Sequence, residues 1–196
     1  MYLDSSFLSI DAVSQPSVGR LLIAQPFMNE PYFGRSVVLL AQHSELGSMG
    51  LVLNKPLKLL LHEIVEGVKI EENIPVFCGG PVGAKSLFYL HNIEEVPQSF
   101  KITKNLYLGG DFDWLLDNLN AGLGLTGRVR FFLGYSGWDE GQLTEEIHQQ
   151  SWLVSKMSTE EILYMPGYDT LWARSMQSMG GKYKRWAEFP QNPNLN

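Results

Sequence analysis

Residues 128–150 read Arg128-Val129-Arg130-Phe131-Phe132-Leu133-Gly134-Tyr135-Ser136-Gly137-Trp138-Asp139-Glu140-Gly141-Gln142-Leu143-Thr144-Glu145-Glu146-Ile147-His148-Gln149-Gln150. An apolar run passes through closely spaced glycines into an acidic, helix-favouring segment, which predicts a strand over 128–133, a tight turn and a helix from residue 140 to about 148. Asp139 has the character of an N-cap, with Gln142 three residues on as its reciprocal partner in a capping-box variant. On that numbering Trp138 and Leu143 fall at the two positions of a hydrophobic staple. A carboxylate at the cap complements the helix dipole, which makes this end a poor anion site. Gly141 costs helix propensity and implies a close approach by backbone or ligand.

Ser136 invites a catalytic reading because it lies between a strand and a helix. A nucleophile elbow requires G-x-S-x-G, and here Gly137 comes one place early, with Trp138 where the second glycine belongs. His148, the only histidine downstream, lies too far along the helix to meet the serine. The residues therefore read as a serine bonded to backbone, with a small Ser136-dependent hydrolase as the alternative.

Working outward, 196 residues with 44% hydrophobic and 18% charged side chains suffice for one substantial core. The formal net charge of −6 argues against a constitutively basic nucleic-acid surface. A single cysteine rules out an intrachain disulfide and a CxxC metal pair. Residues 1–6 carry no basic leader, and no run of some 18 apolar residues occurs. The expectation is a soluble cytoplasmic protein with no membrane span, no metal and no cofactor.

Short aliphatic runs predict strands over 20–25, 36–42 and 49–54, with 44–48 closing a hairpin between the last two. The aromatic connector 26–34 reads as core cover. Leu57, Leu60, Leu61, Ile64, Val65 and Val68 have amphipathic spacing and predict a helix, with His62 and Glu66 on its solvated face. Its H-E-x-x-E lacks the second histidine of a zinc protease.

Residues 75–78 predict a strand leading into Gly79-Gly80-Pro81-Val82-Gly83-Ala84-Lys85-Ser86. Ala84 breaks the Gly-Lys-Ser succession of a phosphate loop, and 86–91 read as a strand instead of a helix. Cys78 reads as an inert strand cysteine. Asp111 caps a helix bearing Phe112, Leu115, Leu116 and Leu119, ended by Gly122. A strand at 152–154, a capping box from Ser158 to Glu161 with a stop near Pro166, and a helix from Asp169 to Gly180 follow. That last helix carries Leu171, Trp172, Met176 and Met179, a stripe suited to core or a dimer seam. Lys182, Lys184 and Arg185 beside Tyr183 and Trp186 have the composition of a single-stranded nucleic-acid contact, but three charges beside Glu188 read as a solvated arm, and direct nucleic-acid binding is doubtful.

Five blocks then occur in a fixed order: Gly19 to Pro26, Phe33 to Val38, Gly50 to Pro56, Gly79 to Val82, and Gly134 to Trp138 with Gly141-Gln142-Leu143. Spanning roughly 19–155, they resemble the bacterial YqgE/AlgH family. The resemblance implies an α+β fold, with bifurcated mixed β-sheets around a small closed barrel and helices packed outside. A single domain of that family is expected over 19–181, the part from Ser158 onward resembling the blocks least, while the weakly patterned residues 1–18 read as an N-terminal arm or short helix and 182–196 as a C-terminal tail. Family members are uncharacterised or carry the label of transcriptional regulator, so no catalytic residue is carried over. The expected function is a non-enzymatic regulatory or binding protein, with a protein partner or homo-oligomer as its setting. Gly79, Gly80, Gly83, Ser136, Trp138, Asp139, Gly141 and Gln142 are the candidate ligand-binding residues, on the expectation that the two glycine-rich turns lie together and line a groove. Lys182, Lys184 and Arg185 are the candidate nucleic-acid residues.

Overall fold

A computed structural model describes residues 15–70, 72–124, 127–164 and 167–190. The element order is β1 (Leu21–Ala24), β2 (Val37–Ser44), β3 (Gly47–Val52), β4 (Pro56–Leu60), α1 (Leu61–Ile64), β5 (Pro75–Cys78), β6 (Val82–His91), β7 (Phe100–Thr103) and β8 (Leu106–Leu108). It continues with α2 (Phe112–Asn120), β9 (Val129–Trp138), α3 (Gln142–His148), β10 (Trp152–Ser155), α4 (Thr159–Leu163), a 3-10 turn at Tyr168–Thr170, α5 (Leu171–Met179) and α6 (Tyr183–Trp186).

β9 is the strand on which the sheet forks. Its residues Phe131 to Leu133 pair in parallel with Val76 to Cys78 of β5, while Ser136 to Trp138 pair antiparallel with Gly50 to Ser48 of β3. β6 runs antiparallel along the opposite edge. The main path is β10-β1-β2-β3-β9-β6-β8-β7, with β4 and β5 branching from it. The chain leaving β5 must therefore cross β9 to become β6. It crosses at Gly79 to Val82, over Gly134.

Glycine is required on both sides of that crossing. A Cβ on Gly134 would lie 2.6 Å from the Gly80 carbonyl oxygen, and one on Gly80 would lie 2.4 Å from the Tyr135 carbonyl carbon. Gly134 also has φ +70°, and Gly80 has φ +151°. Hydrogen bonds lock the approach: Gly79 N–H donates to the Leu133 carbonyl at 2.8 Å, and Val52 N–H donates to the Gly79 carbonyl at 2.9 Å.

Three clusters of buried side chains follow from the fork. The largest joins Leu21, Ile23, Leu39, Leu51, Phe77, Leu90, Leu106 and Phe132 to Trp172, Met176, Tyr183 and Trp186 of the C-terminal helices. A second packs α2, through Leu115 and Leu119, against Val76, Tyr89 and Phe131. A third packs Leu143 and Ile147 of α3 against Leu22, Val38, Leu40 and Trp152. The connector 26–34 is core cover: the Phe33 ring meets Trp152 at 5.5 Å and Trp138 at 6.2 Å.

The α+β class and the fork are as expected, but the closed barrel is not. The sheet ends at β10 and β7 without a ladder between them. Residues before β1 come close to β7, with a Gly19 Cβ falling 2.7 Å from Thr103 Cγ2. Among the described residues no ladder pairs them, and α4 to α6 supply side chains to the interior. The result is a curled, open sheet.

Other expectations are corrected as well. The helix over 57–68 shrinks to one turn, because Pro56 to Leu60 pair with β5 as β4. Strand pairing supplies backbone partners that outweigh helical periodicity. Strands β7 and β8 and helix α6 lie where no element was expected. The strand over 128–133 runs on to Trp138, because β3 and β6 supply partners beyond Leu133. The Asp111 cap accepts from Trp114 N–H at 3.0 Å, and the Ser158 capping box forms as read. Residues 1–14, 191–196 and the Pro166 stop lie outside the described residues. Among the described residues no helix is long and apolar enough to cross a membrane.

Two buried ionisable groups sit in this frame. Arg130 donates to the Leu53 carbonyl at 2.6 Å and the Ile162 carbonyl at 2.8 Å, with Phe77 4.2 Å from its guanidinium carbon. Burial pushes its pKa down to about 10. His91 is fully buried; its Nε2 lies 2.8 Å from the Gly109 carbonyl oxygen, and its Nδ1 accepts from Ile93 N–H at 3.2 Å. Desolvation holds the imidazole below its usual range against these two backbone bonds.

Gly134→Ala is expected to destabilise the protein by about 3 kcal/mol or more in urea unfolding, because strain and a backbone clash add. A histidine with a lowered folded pKa is protonated more readily in the unfolded chain, so its effect on stability is nil above pH ~6.5 and turns unfavourable as pH falls through ~6.5. Urea midpoints measured from pH 8 to 5 are therefore expected to fall more steeply for the wild type than for His91→Gln. Parallel curves would refute the buried, neutral imidazole.

Candidate functional site

The two glycine-rich segments do lie together, at the crossing over β9. Gly79 and Gly80 are buried, and Ser136 is fully sealed from solvent with its hydroxyl donating to the Gly79 carbonyl at 3.0 Å. Its proton is committed to that carbonyl and its oxygen cannot reach a substrate. These residues build the junction and do not line a groove. Gly83 is exposed, in the residues of β6 that bulge between the Val82 and Leu87 pairings.

A groove does lie nearby. An open cleft of about 960 Å³ is walled by the β2–β3 hairpin on one side and by Val82, Phe88 and Phe100 on the other, with Tyr135, Gly137 and Trp138 of β9 beneath. It occupies the mouth of the curled sheet. Trp138, Asp139 and Gln142 of the expected residues line it, and Gly79, Gly80, Gly83, Ser136 and Gly141 do not.

Local structure explains how each wall is set. Ala41 is an extra residue in β2: Leu40 faces Gly50 and Gln42 faces Met49, so the hairpin tip is re-aimed. Beyond the bulge, His43 and Ser48 are direct cross-strand partners, with His43 Nδ1 2.7 Å from Ser48 Oγ. Among the described residues no carboxylate hydrogen-bonds the other ring nitrogen, so the pair lacks the third member that orients a catalytic base. It serves as a polar wall. At the tip, Leu46 is 87% exposed and stands on the rim.

The floor is fixed by α3. Glu146 accepts from the indole N–H of Trp138 at 2.9 Å and of Trp152 at 2.7 Å, while its other oxygen accepts from Gln142 Nε2 at 2.8 Å. One carboxylate thus orients two tryptophans and a cleft-lining amide. The helix starts two residues later than expected, at Gln142 instead of 140. Gly141, with φ +72°, is the N-cap, because the strand runs to Trp138 and the reversal needs a left-handed residue. Half of the expected box survives: Gln142 Oε1 accepts from Asp139 N–H at 3.0 Å.

Sequence reasoning missed Val18, Leu46, Val82, Phe88, Phe100 and Tyr135. Leu46 carried a signal, an apolar residue in a two-residue hairpin turn where a polar one is usual. Lys182, Lys184 and Arg185 lie away from the cleft lining, on or next to α6. The segment is not a free arm there: Tyr183 and Trp186 are buried in the main core and unavailable for stacking on bases. Among the described residues no cluster of three or more histidine, cysteine, aspartate or glutamate side chains is arranged to hold a metal.

Comparison with known proteins places this geometry. Residues 21–184 match the family model described as AlgH-like. The chain belongs to the AlgH-like family. It is 46% identical over 183 residues to a UPF0301 protein of Bacteroides fragilis, covering 92% of each chain, and 43% identical over 199 residues to one of Bacteroides thetaiotaomicron, covering all of both. The solution structure of the AlgH protein from Pseudomonas aeruginosa is 30% identical, with a TM-score of 0.68 over 86% of this chain and 92% of that one. A crystal structure of protein DIP2367 from Corynebacterium diphtheriae, 21% identical, shares the fold with a TM-score of 0.78 over 96% and 100% of the chains. The AlgH-like match runs through residue 184, so the stretch from Ser158 to Lys184 lies within it.

Glu146→Ala is expected to cost about 2 kcal/mol, because two indole donors lose a charged acceptor. The same variant is expected to lose near-ultraviolet circular dichroism from Trp138 and Trp152. A variant with wild-type stability and spectrum would show that the carboxylate does not hold the floor.

Proposed function

We propose that this AlgH-like protein is a non-enzymatic binding protein whose occupant lies in the cleft at the mouth of the curled sheet. One observation carries the reading. Among the described residues six large apolar side chains are exposed, and three of them, Leu46, Val82 and Phe100, line this one cleft. Scattered apolar residues need no explanation, whereas convergent ones on a concave surface mark a binding site. Polar groups on the wall, His43, Ser48 and Gln142, supply the hydrogen bonds that would orient what binds.

The sealed, carbonyl-bonded Ser136 counts against the hydrolase alternative. The buried Tyr183 and Trp186 count against a tail that grips single-stranded nucleic acid. A regulatory role for the protein would then be exerted through what the cleft binds and not through direct contact with DNA.

Titration with N-phenyl-1-naphthylamine, a neutral apolar fluorophore, tests the reading. Saturable enhancement is expected with the wild type, and binding about tenfold weaker, or ~1.4 kcal/mol, is expected for a Val82→Ser, Phe100→Ser double variant with unchanged circular dichroism. Equal binding by both proteins would sink the proposal.

A further inference from the structure

The kinds of molecule that could fill the cleft differ most in charge, and its lining discriminates on that basis. The inference rests on the binding reading above. Asp139 is in the lining, and neither lysine nor arginine is. Glu140 follows Asp139, and Glu45 sits beside Leu46 at the hairpin tip, both exposed. On the hairpin and α3 side the apolar trough therefore has an acidic lip, while across it Lys101, next to Phe100, sits over the Tyr107 ring at 5.7 Å.

Three occupants are opposed by that lip. A nucleic acid or other phosphate-bearing ligand would meet these carboxylates with no lysine or arginine in the lining itself to offset them. A second copy docking lip to lip would bring Glu45, Asp139 and Glu140 against their own equivalents. Residues 1–14 of this chain have Asp4 and Asp11 as their charged side chains, and would add like charge.

The rim decides between a small molecule and a chain. Leu46 projects from the lip at 87% exposure, so a compact ligand seated on Met49, Phe88 and Tyr135 would leave it in water. A ligand that covers Leu46 must extend over the edge. The exposed Gln42 amide, and the second N–H of the Gln142 amide beyond the one given to Glu146, present groups at which peptide C=O and N–H groups can be satisfied.

We propose that the cleft receives a basic, amphipathic segment of a partner polypeptide. Its aliphatic or aromatic side chains sit on Met49, Val82, Phe88 and Phe100, and its lysines or arginines face Glu45, Asp139 and Glu140. Complementary charge steers the encounter and fixes direction, while the apolar floor holds the segment.

Panning a phage-displayed library of random dodecapeptides on the folded protein, after depletion on the Val82→Ser, Phe100→Ser variant, tests this directly. The retained peptides are expected to combine net positive charge with apolar residues. Synthetic versions are expected to bind a Glu45→Gln, Asp139→Asn, Glu140→Gln variant about tenfold more weakly than the wild type, and to weaken as salt rises. Neutral or acidic winners would overturn the inference, as would basic ones indifferent to the neutralised lip. If no peptide is retained while the neutral fluorophore still binds in a Phe100-dependent way, the occupant is a small molecule and only the polypeptide inference falls. If neither binds, the cleft reading falls with it.

Discussion

The structure depends on one close approach of two backbones, Gly79-Gly80 against Gly134-Tyr135. β5 and β6 lie on opposite edges of β9 and are joined by a connection only a few residues long. Such a connection must pass directly over the strand. Side chains at Gly80 or Gly134 would collide with carbonyl groups, so the crossing exists only because both are glycine. Ser136 and the Val52 N–H then both hydrogen-bond the Gly79 carbonyl, so this buried acceptor has two donors.

From that crossing the fork follows, and from the fork the cleft. Past Gly134, β9 gives up β5 and takes β3 as its neighbour, so the two arms of the sheet diverge and curl. Arg130 ties the divergence on the inner side by reaching carbonyls of both the Leu53 region and α4, at the cost of a desolvated guanidinium. Because β7 and β10 never pair, the curl keeps an open mouth.

The electrostatics of the mouth come from α3. Its turn and helix place Asp139 and Gln142 on the cleft while Glu146 is drawn inward to two indoles. Acidic residues in this turn and helix therefore occupy two different places: Glu146, in the helix, holds the floor, and Asp139, in the turn before it, lines the cleft. A helix read only for its propensity would not separate them.

Much was determined by the sequence alone. The strands around residues 20–54, 75–91 and 128–133, the Asp111 and Ser158 caps and the family itself follow from periodicity, capping chemistry and ordered blocks, all of which are local in the chain. Trp138, Asp139 and Gln142 were placed at the site for the same reason, being tied to a strand end and a helix start. Tertiary structure alone decided that Gly79, Gly80 and Ser136 are architecture, because their partners are carbonyls more than fifty residues away. It also decided that 56–60 is a strand, since pairing with β5 satisfies backbone groups that a surface helix would have satisfied internally. The cleft belongs to the same class of fact. Leu46, Val82 and Phe100 are far apart in the chain, and only the pairing of their strands around β9 and the curl of the sheet bring them to one cleft.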